Sequence, residues 1–328
     1  MTDSPPRHPV FVVGMPRSGT TLLSSMLDAH SDLVIAPETH YFTRCWTGEP
    51  LSDATDAQGM LDRLFQQPGV ADMELSAAER EAIHVRLRSV HRPSHADVLR
   101  AVTTVFAART SARAWGEKTP DHLRYVPEMA RQFPEAVFVA IVRDPRDVCL
   151  SLQSVPWNRD TLPEQACTWR SYVERMNHYR AAYPDRFHDL RYEDLITNPK
   201  RELRAVCDFL AMPFEPGMLA FHQREDRSFD ANREPWKEKT AQAVDPTNQQ
   251  KWRTQMPEAE RVIVERIVGN RLEAYDYAST PVRWRPSLVV RVLAHLVRAA
   301  LQGIRRSFWK RTRRGEKDSA APIWMDSR

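Results

Sequence analysis

A parallel α/β fold is predicted by three observations: an apolar run that ends in a glycine loop, a second and stronger apolar run ending in Arg-Asp-Pro, and helical patterns alternating with both. The first run, Pro9-Val-Phe-Val-Val13, is short, β-branched and closed by Gly14, and reads as a strand buried on both faces. From Gly19 the period becomes helical, with Leu22, Leu23, Met26 and Leu27 on one face. His30-Ser-Asp breaks that helix, and Leu33-Val-Ile35 is the next strand candidate. Strand, glycine loop, helix and strand together open a P-loop-like sheet flanked by helices. Residues from about Asp53 to Arg109 are helical and polar-faced without a strand candidate. They read as an insertion that caps the sheet or shapes a cleft.

A helix over Asp121–Phe133 leads into Ala136-Val-Phe-Val-Ala-Ile-Val142, the strongest strand signal. The chain then turns at Arg143-Asp-Pro into a helix running toward Gln153. A long helix over Glu164–Ala182, a short strand at Phe187–Leu190 and a helix over Pro199–Leu210 complete the pattern. Gln223–Asn248 is polar with few apolar anchors and reads as a long mobile loop.

With 328 residues, 42% hydrophobic and 27% charged, the chain has the composition of a globular protein with a sizeable core. No apolar run approaches the roughly 20 residues of a membrane span, and the N-terminus lacks a cationic-then-apolar pattern. Four scattered cysteines form no CxxC and read as reduced thiols; the expectation is a cytoplasmic protein. Neither HExxH nor a paired His/Cys cluster occurs, so no metal is expected.

The net charge of +4 divides unevenly. Residues 283–328 carry twelve Lys/Arg against three Asp/Glu, whereas the first 282 carry 35 against 40. A slightly acidic body argues against a nucleic-acid partner. Two units follow: a body over 1–282 and a basic tail over 283–328. In the tail, Leu288, Val292, Leu296, Leu301 and Ile304 share one helical face, and Arg305–Arg314 holds six cations. This C-terminal amphipathic helix could lie on an anionic membrane, pack on the body, or join a second copy in a homodimer.

Gly14-Met-Pro-Arg-Ser-Gly-Thr-Thr21 has P-loop glycine spacing, but Thr20 stands where the P-loop lysine would be and Arg17 lies inside the loop. Without the lysine that reaches the β- and γ-phosphates, the loop suits a single 5′-phosphate carrying one more anionic group. Arg143 and Ser151 follow the strongest strand, whose carboxyl end a ligand on the loop would also reach. An arginine fork fits a dianionic phosphate, although a surface pair with Asp144 or Asp147 is the plainer reading.

These segments resemble the sulfotransferase superfamily. Pro16-Arg-Ser-Gly-Thr-Thr-Leu22 is similar to its 5′-phosphosulfate loop, and Arg143-Asp-Pro-Arg-Asp-Val-Cys-Leu-Ser151 to its 3′-phosphate segment. Arg191-Tyr-Glu-Asp-Leu195 resembles a further block. Trp115-Gly-Glu-Lys-Thr-Pro120 resembles one that precedes the second strand in the branch of bacterial and protein-tyrosine sulfotransferases. The resemblance implies 3′-phosphoadenosine 5′-phosphosulfate as donor and a hydroxyl or amine acceptor. It implies Arg17, Ser18, Gly19, Thr20 and Thr21 at the 5′-phosphosulfate, Arg143 and Ser151 at the 3′-phosphate, Tyr192 near the adenosine, and Lys251 as a late donor-binding lysine. Glu38 would be the base, with His40 its rival two residues on in an extended segment. Lys118 and Arg17 would stabilise the leaving phosphate. Two departures, Val155 for an arginine and Asp245 for a lysine, argue against tyrosine as the acceptor. The alternatives are a nucleotide kinase, with Val137–Asp144 as its metal-binding strand, and a non-catalytic nucleotide-binding module at a membrane.

Overall fold

Strand β1 (Val10–Gly14) is buried along its whole length, and its alternate residues enter different cores. The structure, a computed structural model, describes residues 8–224 and 242–319. Val10 and Val12 face one apolar cluster and Phe11 and Val13 the other, so helices must cover both sides of the sheet. Helix α1 (Thr20–Asp28) follows the glycine loop and buries Leu22, Leu23, Met26 and Leu27, the face its spacing predicts. Strand β2 (Leu33–Ala36) comes next.

The predicted helical insertion is α2 (Ala54–Phe65), α3 (Pro68–Ala71), α4 (Ala77–Arg88) and α5 (His95–Ala107). Ser76 and Ser94 cap α4 and α5 with complete capping boxes. The inner faces of these helices, with Leu61, Leu64, Ile83, Leu99 and Val102, pack into the same core as Phe11 and Val13.

Ala114–Lys118 forms β3, a central strand, where the sequence reading placed only a motif ahead of a strand. Its composition, with one glycine and two charges in five residues, hides it; burial between two neighbours overrides propensity. The helix expected over Asp121–Phe133 begins instead as a 3₁₀ turn, Pro120–Tyr125, and becomes α6 (Val126–Gln132). Pro127 has no N–H to bond back into the preceding turn, so one continuous α-helix cannot form there.

Then follow β4 (Val137–Val142), α7 (Pro145–Gln153), α8 (Leu162–Ala182), β5 (Phe187–Arg191), α9 (Tyr192–Thr197), α10 (Pro199–Phe209), α11 (Trp252–Gln255), α12 (Glu258–Val268) and α13 (Pro286–Ser319). The central part of the segment predicted as a mobile loop, 225–241, lies outside the described residues.

All five strands are parallel in the order β2-β3-β1-β4-β5. Their register sets Val12 beside Lys118, Ala36 beside Glu117, Gly14 beside Ile141, and Val142 beside Arg191. The glycine loop, Lys118, Arg143 and Tyr192 therefore emerge at one carboxyl edge, where open α/β sheets bind ligands.

Candidate active site

The loop between β1 and α1 needs glycine at position 19. Gly19 caps α1 with φ 98°, and a Cβ there would come within 2.4 Å of the Tyr192 ring. Behind it, the first-turn amides of α1 have no intrahelical acceptor and face the loop with the positive end of the helix dipole. Arg17 also adopts a left-handed backbone, φ 73°, and its Nε donates to Ser151 Oγ at 2.9 Å. The loop and the segment after β4 are thus in direct contact.

Arg143 closes the same space. Its guanidinium lies 4.4 Å over the Tyr192 ring, and its Nη2 donates to the Asn248 carbonyl at 3.1 Å. Asn248 in turn donates to the Tyr192 hydroxyl at 2.8 Å. Burial, chiefly, raises the Tyr192 pKa, so the phenol stays neutral. Asp147 lies 3.7 Å from Arg143, the surface pair that the sequence allowed, but the aspartate is buried. Three buried atoms here have no hydrogen-bond partner among the described residues: the donors Ser18 Oγ and Arg143 Nε, and the acceptor Asp147 Oδ2, which faces Arg143. Unsatisfied donors of this kind in a cationic cleft suit an anionic ligand. Arg17, Thr20, Thr21, Arg143, Ser151, Tyr192, Asn248 and Lys251 line this cavity of about 740 Å³.

Buried charges hold the far wall. Arg146 forks onto Asp144 (2.9 and 2.7 Å), reaches Glu265 at 2.7 Å and lies 3.6 Å over the Trp252 ring. Asp147 accepts from the Trp252 amide at 2.9 Å. Lys251 is thereby anchored through its neighbour. Glu193, whose pKa burial raises, accepts from the Asp144 amide at 3.0 Å and from the Tyr277 hydroxyl at 2.8 Å.

At the other end of the loop, Lys118 ends β3 with only 3% of its side chain exposed. Its Nζ is 3.4 Å from Thr21 Oγ1 and donates to Glu38 Oε1. Glu38 Oε2 lies 3.5 Å from His40 Nε2. The segment at His40 is not extended as predicted: His40 has φ 52° and starts the π-helical turn Tyr41–Cys45, yet its ring still reaches Glu38. Burial, the leading cause, lowers the His40 pKa despite the opposing effect of Glu38, which keeps the ring neutral at neutral pH.

All twelve residues singled out in the sequence lie at this edge: eight line the cavity, Ser18 sits in the loop between two of them, and Lys118, Glu38 and His40 extend in a chain of contacts from Thr21. Lys118 meets Glu38 rather than its neighbour Glu117, because adjacent residues of a strand point to opposite faces. Ser151, expected at the 3′-phosphate with Arg143, accepts a hydrogen bond from Arg17 of the glycine loop. Sequence reasoning assigned no place in the site to Asn248, Glu193 or Glu117. Asn248 sits in a polar stretch with no pattern. The first signal for Glu193 and Glu117 was each one's place inside a motif otherwise explained.

A sequence profile described as the Sulfotransferase family matches residues 9–216. Protein-tyrosine sulfotransferase 1 of Danio rerio is 23% identical over 292 residues, covering 86% of this chain and 76% of its own. Protein-tyrosine sulfotransferase 2 of Gallus gallus is 24% identical over 261 residues, covering 76% of this chain and 64% of its own. Among solved structures, the sulfotransferase domain from the curacin biosynthetic pathway superposes with a TM-score of 0.60 at 22% identity, over 84% of this chain and all of that one. The sulfotransferase domain of the Synechococcus PCC 7002 olefin synthase gives 0.60 at 22%, over 85% and 98%. These two likenesses establish the fold.

Proposed function

Because the chain belongs to the sulfotransferase family, we propose that it moves the sulfuryl group of 3′-phosphoadenosine 5′-phosphosulfate onto a hydroxyl or amine of its acceptor. The single observation that carries the choice of donor is the contact between the lysine-free glycine loop and the Arg143 segment in one cleft. A nucleotide with phosphates at both 5′ and 3′ positions fits two cationic stations; a triphosphate does not need the second. Arg17, Ser18, Gly19, Thr20 and Thr21 hold the 5′-phosphosulfate in this reading. Arg143 and Ser151 take the 3′-phosphate, Tyr192 borders the adenosine, and Lys251 closes the site.

Glu38 takes the acceptor proton as the acceptor heteroatom bonds to sulfur. The bond from sulfur to the bridging oxygen breaks, and its electron pair leaves with the adenosine bisphosphate. Lys118 and Arg17 stabilise that growing negative charge, which favours the transition state over the ground state. These side chains and the loop amides supply the positive field, so the reading calls for no metal.

Val155 and Asp245 replace cations of the tyrosine-sulfating branch, which favours a glycan, lipid or small-molecule acceptor over a protein tyrosine. The tail supports a place for it. In α13, Leu288 packs on Ala259 and Val262, whereas Val290, Leu293, Val297 and Leu301 are each more than half exposed. Arg291 and Arg298 flank this apolar face, and the six cations of Arg305–Arg314 follow in the sequence. The occupant we assign is an anionic membrane, at the cytoplasmic side, where four free cysteines are at home. Among the described residues no helix is long and apolar enough to cross a membrane.

Calorimetry against adenosine 3′,5′-bisphosphate, ADP and ATP tests the donor. Binding of the bisphosphate at least tenfold tighter than ADP is expected; equal affinity for the two nucleotides removes the 3′-phosphate station and the reading with it.

A further inference from the structure

The backbone that carries Glu38 is held from two sides by groups outside the cleft. On one side is the helical insert. Gly69 is buried in α3 in ordinary helical backbone, and a Cβ on it would lie 2.1 Å from the Glu38 carbonyl oxygen and 3.0 Å from the Glu38 nitrogen. Alanine is the better helix former, so local propensity does not explain a glycine here. Its contact with Glu38 does.

On the other side is Glu117, fully buried at the end of β3. Its Oε1 accepts from both the amide and the hydroxyl of Thr39 at 2.9 Å, and from Thr119 Oγ1. Its Oε2 accepts from His122 Nδ1 at 3.0 Å, while His122 Nε2 accepts from the Phe42 amide at 3.2 Å. The Thr119 hydroxyl accepts from the His40 amide at 3.2 Å. Thr39 is therefore tied directly to β3, the strand that also presents Lys118, and residues 40 and 42 are tied to it through Thr119 and His122, which both bond Glu117. A carboxylate so saturated with donors is a fixed anchor.

We propose that Gly69 and Glu117 are positioning residues that aim the Glu38 carboxylate, so that the helical insert serves the chemistry through Gly69. The inference rests on the reading of Glu38 as the base. Neither residue touches a reacting atom; each acts by fixing backbone, and a shift of about 1 Å at a reacting group can cost about a hundredfold in rate.

The test uses full-length Gly69→Ala, Glu117→Gln and Glu38→Gln. Turnover is followed as label transferred from the donor to 2-naphthol, or to water where naphthol is not taken. Affinity is measured separately with adenosine 3′,5′-bisphosphate. In Gly69→Ala and Glu117→Gln we expect turnover to fall at least tenfold while bisphosphate affinity stays within twofold. A crystal structure of Gly69→Ala should show the Glu38 backbone displaced. Should Gly69→Ala fail to fold, Glu117→Gln decides by the same split. Normal turnover in a folded Gly69→Ala beside an inactive Glu38→Gln removes the clamp alone. Equal losses of turnover and affinity also overturn it. Normal turnover in Glu38→Gln removes the base reading, and the clamp falls with it.

Discussion

At the scale of single residues, the two ends of the cleft fail differently. Arg143→Ala removes a planar donor from a buried station and should weaken bisphosphate binding by about 1.5–3 kcal/mol, the usual worth of a hydrogen bond to a charged group. Calorimetry on the folded variant reads it, and unchanged affinity would take Arg143 out of the site. Glu38→Gln should do the reverse, holding affinity while turnover collapses, because an amide cannot accept the acceptor's proton. If turnover persists, His40 is the next base to replace, since its ring is 3.5 Å away and kept neutral by burial. Lys118→Met should cost about 3–4 kcal/mol of barrier, near 10²–10³ in rate, with little change in affinity for the bisphosphate product. The sequence proposed these assignments through its resemblance to a family, because the residues concerned lie inside contiguous motifs. Glu117 received none: a buried carboxylate that organises backbone has the same letter as a solvated one.

Elements show where pattern is enough and where it is not. Strands β1 and β4 were readable from apolar runs buried on both faces, but β3 carries its charges at its end and had to be seen between its neighbours. The turn between β1 and α1 can be tested directly. Gly19→Ala strains a backbone at φ 98° and drives a methyl into Tyr192, so donor binding should be lost and stability should fall by about 1–3 kcal/mol. Helix α5 sets a pH limit. Buried His95 is held between the Tyr41 hydroxyl at 2.7 Å and the Glu49 carbonyl at 2.9 Å, and burial lowers its pKa more than the Glu49 bond raises it. The unfolded chain thus takes the proton first. The contribution of His95 to stability is complete above the ordinary imidazole range, about 6.5, and declines as the pH falls toward the depressed folded value. Melting temperature should drop between pH 7 and pH 5, and His95→Gln should flatten that slope; a slope that does not change assigns the acid sensitivity to other groups.

For the whole molecule, the decisive experiment concerns α13. Leu288 and the half-buried Val292 seat its first turns on α12, so truncation after Val292 leaves that packing in place. The truncated protein should keep its melting temperature and its bisphosphate affinity but lose co-sedimentation with phosphatidylserine vesicles. In the full chain, each Lys or Arg at the surface contributes about 1 kcal/mol, so binding should weaken steeply with salt. A full-length protein that ignores such vesicles at low salt, while its sedimentation coefficient reports a dimer that truncation abolishes, would assign the apolar face to a second copy.

The sequence by itself determined the parallel α/β class, the glycine loop between β1 and α1 and the identity of the charged groups, because these follow from period, glycine placement and side-chain chemistry, all of which are local. Tertiary structure alone decided which polar groups meet. Arg17 found Ser151, 134 residues away, and Lys118 found Glu38, 80 residues away, because parallel register brings separate strand ends to one edge. It also turned a polar-faced insertion into a wall behind Glu38. Gly69 against Glu38 is a contact between backbones, and backbone contacts leave no chemical signature in the order of side chains.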